Sequence, residues 1–394
     1  MIYTYDSRQC VIWSLVVLSV LCLQSFASET ATLQQQFENE LTALHRQYQF
    51  PGATAAFILP DGTVGVSAVG LADVENKIPM QPDSRMLAAS IGKTFVSAAV
   101  IALVHENKLK LDDPLSKWLG DRDWFARLPN HNLVTLHHLL NHTSGIPNHV
   151  DLELFHKAFR ENLCLKENPF PPEKLVSFVF DQEPLFKPGE GWHYTDTGYI
   201  LLGLVIESAS GSSYYDQVTQ RFLKPLNLKF TSPSNSRELC GLAAGYVLQN
   251  NEFGLEPRTM TDKGVLKWHP AIEWTGGGLI SNPRDLVVWA KALFDGEAME
   301  GDYLEMLLKS VPISCSTPDV RYGSGIGIYR NGKFGLTFGH GGWIPGYCSS
   351  LRYYAGHGCA VAFQLNTDRI LDNSKPVVEE MEIRLAEKVI KTLK

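Results

Sequence analysis

Three short motifs hold the side chains best suited to chemistry. The first is Ser90-Ile91-Gly92-Lys93, the only Ser-x-x-Lys in the 394-residue chain. A serine hydroxyl is a weak nucleophile unless a nearby base takes its proton. A lysine that burial discourages from holding its charge can help supply that base. Ser90 stands where a polar loop gives way to Phe95, Val96, Ala98, Ala99, Val100, Ile101, Leu103 and Val104. That run is apolar on nearly every face, which predicts a buried helix over 91–104. At a helix start, residues three apart share a face, backbone N–H groups are unpaired and the dipole favours developing negative charge. The same position also suits a serine that only caps the helix. The other two motifs are Tyr194-Thr195-Asp196, 104 residues further on, and His340-Gly341-Gly342, another 146 beyond.

Other chemistries fit the chain less well. Gly323-Ser324-Gly325-Ile326-Gly327 has the spacing of neither a dinucleotide fingerprint nor a P-loop and reads as a tight turn entering a strand. His131, His137, His138, His142 and His149 lie close in sequence, but no His-Glu-x-x-His occurs, so no metal is expected. No Gly-x-Ser-x-Gly marks an α/β-hydrolase elbow. With 35 basic against 42 acidic residues the net charge is −7 and there is no basic block, which argues against nucleic acid. Neither a cofactor nor an obligate protein partner is called for.

The surrounding elements must hold these motifs together. Val11 to Leu23 is an apolar run too short for a membrane span, and Ser25 and Ala27 are small residues spaced for cleavage after Ala27. A signal peptide over 1–27, and hence export to a secreted or periplasmic location, is the expectation; an uncleaved anchor is the alternative. Cleavage removes one Arg and one Asp, so the charge stays at −7, and leaves Cys164, Cys240, Cys315, Cys348 and Cys359. An odd number requires a free thiol, so disulfides are not expected to hold the fold. Thr32 to Tyr48 is an amphipathic helix by spacing (Leu33, Phe37, Leu41, Leu44), and Ala53–Leu59 with Val64–Val69 reads as a hairpin around Pro60-Asp61-Gly62. Helical patterns dominate Leu133 to Phe230. Strands return at Ile326–Tyr329, Leu336–Phe338, Ser349–Tyr353 and Cys359–Gln364, and Pro376–Leu393 closes the chain as a helix. Sheet at both ends and helices between imply one α/β (α+β) unit over 28–394 with a helical subdomain inserted at about 110–235.

The order and spacing of Ser90-x-x-Lys93, Tyr194-x-Asp196 and His340-Gly341-Gly342 resemble the serine β-lactamase and penicillin-binding family, in its class C and D-alanyl-D-alanine carboxypeptidase branch. Pro51-Gly52-Ala53, Leu139 to Gly145, Gly276-Gly277-Gly278-Leu279, Ser281 to Asp285 and Tyr322 to Asn366 look like further landmarks of it. The resemblance covers almost the whole mature chain and implies an antiparallel sheet flanked by helices. It implies Ser90 as nucleophile, Lys93 and Tyr194 as proton carriers with His340 assisting, and the backbone N–H groups of Ser90 and Trp343 as oxyanion hole. The Leu139–Gly145 landmark gives the histidine cluster a structural reading.

Two positions depart from the family pattern. Asp196 replaces an asparagine, and a carboxylate beside Lys93 should raise the pKa of that lysine and shift the base role toward Tyr194. Asp196 also offers a seat for a substrate ammonium. Gly341 stands where many relatives carry a hydroxyl that binds the substrate carboxylate, and neither it nor Gly342 supplies one. An exported serine hydrolase acting on a small peptide, amide or ester is therefore expected, with D-amino-acid substrates favoured and β-lactams as substrates or inhibitors. A true class C β-lactamase and a non-catalytic sensing module are the alternatives. A proton-transfer role for His340 implies activity rising through pH 6–7, near the ordinary histidine pKa.

Overall fold

The computed structural model describes residues 32–162, 169–372 and 376–393. The expected signal segment 1–27 and Cys164 lie outside the described residues. The strands are β1 Gly52–Ile58, β2 Val64–Asp73, β3 Ile78–Pro79, β4 Met86–Leu87, β5 Ser232–Pro233, β6 Leu279–Ser281, β7 Val311–Pro312, β8 Val320–Tyr322, β9 Gly327–Gly332, β10 Gly335–Ile344, β11 Tyr347–Tyr354 and β12 Cys359–Leu365. Nine of them form an antiparallel sheet in the order β3-β2-β1-β12-β11-β10-β9-β8-β7, and β4-β6-β5 form a small second sheet.

Alternation along the central strands divides the core in two. Ala53, Ala55 and Phe57 of β1, with Val361 and Phe363 of β12, face one side. Ala56 and Ile58, with Ala360 and Ala362, face the other. A strand buried on both faces is what a period of two produces when both sets are apolar. On the first side lie helix α1 (32–48), through Leu33, Phe37, Leu41 and Leu44, and the helix Val377–Thr392, through Met381, Leu385 and Val389. Phe37 meets Phe57 edge to face at 5.0 Å. On the second side lie helix α2 (Lys93–His105) and the helix Pro283–Phe294.

Between β4 and β5 the chain runs through Leu136–Leu140, Glu153–Asn162, Pro172–Ser177, Asp196–Ser210 and Tyr214–Val218, all helical, with no strand among the described residues. The hairpin turn closes as its residues dictate: the Gly62 N–H donates to the Leu59 carbonyl at 3.0 Å, with Gly62 at φ +87°. One expectation is corrected. The strand expected at Leu336–Phe338 is longer: β10 continues unbroken from Gly335 to Ile344 and includes His340-Gly341-Gly342. Cys240, Cys315, Cys348 and Cys359 are free. No helix among the described residues is long and apolar enough to cross a membrane.

Phe37 is fully buried and its edge contact with Phe57 joins α1 to the sheet. Phe37→Ala should therefore lower unfolding stability by about 3–5 kcal/mol, measured by urea denaturation. A loss below about 1 kcal/mol would mean α1 is not a working part of this layer.

Candidate active site

Residues Ala89–Gly92 form a short 3₁₀ turn that runs straight into α2, which places Ser90 and Lys93 on one side of the junction. The Lys93 side chain is fully buried, and its ammonium donates to Ser90 Oγ at 3.2 Å. It donates also to Asp196 Oδ1 and to the carbonyl of Gly276. Burial alone would depress this lysine, but the Asp196 carboxylate, with Tyr194 beside it, outweighs burial and raises its pKa above the ordinary value. The effect inferred from the Asn-to-Asp departure thus has its geometry.

Asp196 opens the helix Asp196–Ser210, whose segment Ile200–Ile206 is buried against α2 and its neighbours. Its backbone N–H donates to Asn148 Oδ1 at 3.0 Å, so the turn before the helix is held from outside. The Lys93 ammonium lies 4.9 Å from the centre of the Tyr194 ring. The Tyr194 hydroxyl is buried and closes no hydrogen bond among the described residues. Burial pushes it up to about 12, against the opposing pull of Lys93. At neutral pH Tyr194 is therefore a phenol, suited to give a proton rather than to take one. This differs from the expected shift of the base role toward its phenolate.

His340 also differs from expectation. Burial first, and then Lys93, drive its pKa down to about 3. Its Nε2 accepts from the Tyr322 hydroxyl at 2.8 Å and its Nδ1 donates to the Gly341 carbonyl. It is a neutral wall of the site with both nitrogens engaged, and no titration falls at pH 6–7. The ladder between β10 and β9 ends at the pair Gly339–Gly327, so β10 from His340 to Ile344 leaves β9 behind. A Cβ on Gly342 would lie 2.4 Å from the Ala88 carbonyl, whereas one on Gly341 would meet nothing closer than 3.8 Å. Gly342 is thus a contact with the turn that carries Ser90, and Gly341 leaves open the space a hydroxyl side chain would fill. Trp343 follows on the same strand, 42% exposed, its indole 6.0 Å from the Phe253 ring.

The histidine cluster is spread through the surroundings of the site. His142 Nδ1 accepts from the Thr195 N–H at 3.2 Å, and its ring packs 4.3 Å from Tyr194. His149 bonds Thr197 through its backbone N–H at 2.9 Å and lines the cleft, held to about 4 by burial. His138 closes the cap of the helix Leu136–Leu140 with Thr135.

Ser90 and Asp196 open into a cleft walled by Phe155, Phe159, Phe253, Trp268, Ile272 and Trp343. Glu273 lines it too, and sequence reasoning passed it over. The only available signal was its place three residues before the Gly276–Gly278 run. The aromatic wall was equally silent, because Phe155 and Phe253 come from distant segments with no shared pattern.

The Beta-lactamase family model matches residues 34–376, and the chain belongs to that family. It is 25% identical over 358 residues to penicillin-binding protein 4* of Bacillus subtilis, covering 89% of this chain and 74% of that one. It is 29% identical over 342 residues to protein flp of Staphylococcus aureus, covering 86% of this chain and 64% of flp. Among solved structures, a D-stereospecific amidohydrolase from Streptomyces sp. superposes with a TM-score of 0.72 at 29% identity, covering 86% of this chain and 94% of that one. D-amino acid amidase from Ochrobactrum anthropi SV3, complexed with D-phenylalanine, superposes with a TM-score of 0.76 at 25% identity, covering 92% and 99%. Fold and family together make this a serine hydrolase of the β-lactamase and penicillin-binding type.

Because His340 is neutral down to about pH 4, its replacement should not remove any inflection between pH 6 and 7. The pH profiles of kcat/KM for wild type and His340→Gln test this. A rising limb near pH 6.5 that disappears in the variant would return His340 to the proton path.

Proposed function

We propose that the protein is an exported serine hydrolase that cleaves an amide, peptide or ester bond through an acyl-enzyme on Ser90, with D-amino-acid derivatives as the favoured substrates. The observation that carries the chemistry is the 3.2 Å hydrogen bond from the buried Lys93 ammonium to Ser90 Oγ at the mouth of the cleft. Export is supported by the apolar run Val11 to Leu23 and the small residues Ser25 and Ala27. The substrate class is supported by the likeness to a D-stereospecific amidohydrolase and a D-amino acid amidase. It is supported also by the bare Gly341, which provides no hydroxyl for the terminal carboxylate of a β-lactam or carboxypeptidase substrate.

In acylation, Ser90 Oγ forms a bond to the substrate carbonyl carbon as its proton passes to Lys93 in the neutral form. The backbone N–H groups of Ser90 and Trp343 receive the oxyanion, each such donor being worth about 3 kcal/mol. The carbon–nitrogen or carbon–oxygen bond then breaks as the Tyr194 phenol protonates the leaving group, and Lys93 returns its proton to Tyr194. Water repeats the sequence on the acyl-enzyme. Asp196 restrains this cycle, since raising the pKa of Lys93 shrinks the neutral fraction that starts it. The presence of Ser90, Lys93 and Tyr194 in one cluster speaks against a module that has lost its chemistry.

A fluorophosphonate probe and a fluorescent penicillin, with Ser90→Ala as control, test the reading directly. Absence of a Ser90-dependent adduct with either would sink it. A short ester, a D-amino-acid amide, a D-Ala-D-Ala peptide and a chromogenic cephalosporin then sort the substrates, with the amide expected to outrank the cephalosporin. Asp196→Asn should remove the main opposition to burial at Lys93, lower its pKa and speed acylation by penicillin at pH 7. The wild-type rate should still be climbing with pH at about 10, the ordinary lysine pKa, whereas that of the variant should level off sooner. Equal or slower acylation by Asp196→Asn would contradict the role given to Lys93.

A further inference from the structure

The cleft beside Ser90 contains a carboxyl group that the acyl-transfer chemistry does not use. Glu273 sits between two 3₁₀ turns, Pro270–Ile272 and Trp274–Gly276, and lines the same cavity as Ser90. Its Oε2 is buried without a hydrogen-bond partner, and it forms no ion pair among the described residues. Its other oxygen lies against Gly277, where a Cβ would fall 2.0 Å from Glu273 Oε1, and the backbone N–H of Gly278 donates to the carboxyl. A buried carboxyl oxygen left unpaired is costly. Such a group in an open cleft is one that a ligand can satisfy.

The charges around it restrict which ligand that is. Lys93 is the nearby cation, and it is already bonded to Asp196. That pairing already matches the charge of Asp196 through Oδ1, which leaves it the weaker seat for a substrate ammonium. Among the described residues, those lining the cavity include no lysine or arginine, and the one histidine, His149, is neutral. A substrate carboxylate would meet Glu273 and Asp196 with no free cation to hold it. A substrate ammonium would complete Glu273 Oε2, since the other unpaired atom of the lining, Trp268 Nε1, is a donor and offers an ammonium nothing. The walls beside Glu273 are Phe155, Phe159, Phe253, Trp268 and Ile272. They fit a large apolar or aromatic side chain on the same molecule.

We infer that Glu273 is the specificity-determining residue of this site: it binds the free α-ammonium of an aminoacyl amide or ester whose aromatic or large apolar side chain fills the cleft. This rests on the acyl-enzyme reading above. Burial, opposed by Lys93, holds the Glu273 carboxyl up to about 8 in the empty cleft. An arriving ammonium reverses that balance by supplying the missing counter-charge, and the proton of the acid serves equally well on the amine.

The test compares twin substrates that differ only in the amine. These are phenylalanine methyl ester, as its faster enantiomer, and methyl 3-phenylpropanoate, each assayed at pH 7 with wild type, Glu273→Gln and Ser90→Ala. The readout is the ratio of kcat/KM for the amine ester to that for its desamino twin. Wild type should favour the amine by at least tenfold, and Glu273→Gln should reduce that ratio at least tenfold, mainly through KM. The ratio cancels any general loss of folded enzyme, and the wild-type value stands even if the variant does not fold. A wild-type ratio below ten overturns the proposal. So does an unchanged ratio in Glu273→Gln, which is what a purely structural role, or a general-base role shared by both substrates, would give. Turnover of both twins that persists in Ser90→Ala would sink the acyl-enzyme reading and this proposal with it. An unchanged ratio with Ser90 dependence intact would sink this proposal alone.

Discussion

A positive charge buried beyond the reach of water is the constraint on which this site depends. An isolated ammonium in a protein interior costs several kcal/mol unless it is paired and hydrogen-bonded. Lys93 meets that requirement with three acceptors from three separate stretches of chain: Ser90 Oγ, Asp196 Oδ1 and the Gly276 carbonyl. The need to satisfy one nitrogen therefore draws together the start of α2, the start of the helix Asp196–Ser210 and the turn before β6. A carboxylate is a stronger partner for an ammonium than an amide. Asp196 thus secures the charge more firmly than the family asparagine would, and the same bond withholds the lysine from service as a base. Stability of the site and readiness of its nucleophile pull in opposite directions here.

The same ammonium governs its neighbours. His142 and His340 are kept neutral by burial and then by Lys93, and in His149 burial acts first with Lys93 a lesser influence. Tyr194 is pulled toward ionisation by Lys93 yet held as a phenol by its buried setting. One fixed charge, itself matched by Asp196, leaves a ring of neutral hydrogen-bonding groups. Glu273 is the acidic side chain of the cleft that has no ion-pair partner among the described residues, and that is why its pairing can discriminate between substrates.

Much of this was legible in the sequence where periodicity or order carries the message. The two-faced burial of β1 and β12 and the all-round apolar character of α2 follow from residue type alone, because a strand repeats every two residues and a buried helix needs no polar face. The triplet of motifs pointed to Ser90, Lys93 and Tyr194 because their order and spacing are a family pattern. What could not be read was anything that depends on distance across the fold. β10 is legible only as Leu336–Phe338 because Gly339, Gly341 and Gly342 lack the branched or aromatic character of a strand, although pairing with β11 runs through all three. The titration of His340 depends on burial and on a lysine 247 positions away. Glu273 has no motif of its own and acquires meaning only from the walls around it.

Close packing of glycines explains how the nucleophile turn is held. Ala89, just before the nucleophile, has φ +50°, a left-handed conformation that costs an L-residue about 1–2 kcal/mol. It keeps that conformation because the turn is gripped from two sides. A Cβ on Gly277 would come within 2.5 Å of the Ala89 carbonyl, and one on Gly342 within 2.4 Å of the Ala88 carbonyl and 3.2 Å of the Ala89 Cβ. Gly92 completes the contact, since its own Cβ would collide with the Gly277 carbonyl. The Gly276–Gly278 run and the glycines of β10 thus act together mechanically. They let two backbones approach the Ser90 turn closely enough to hold a conformation it would not adopt alone. A side chain at Gly341, by contrast, would meet open space. Neighbouring glycines in one motif therefore answer to different pressures, Gly342 being confined by the turn that carries Ser90 while Gly341 is not.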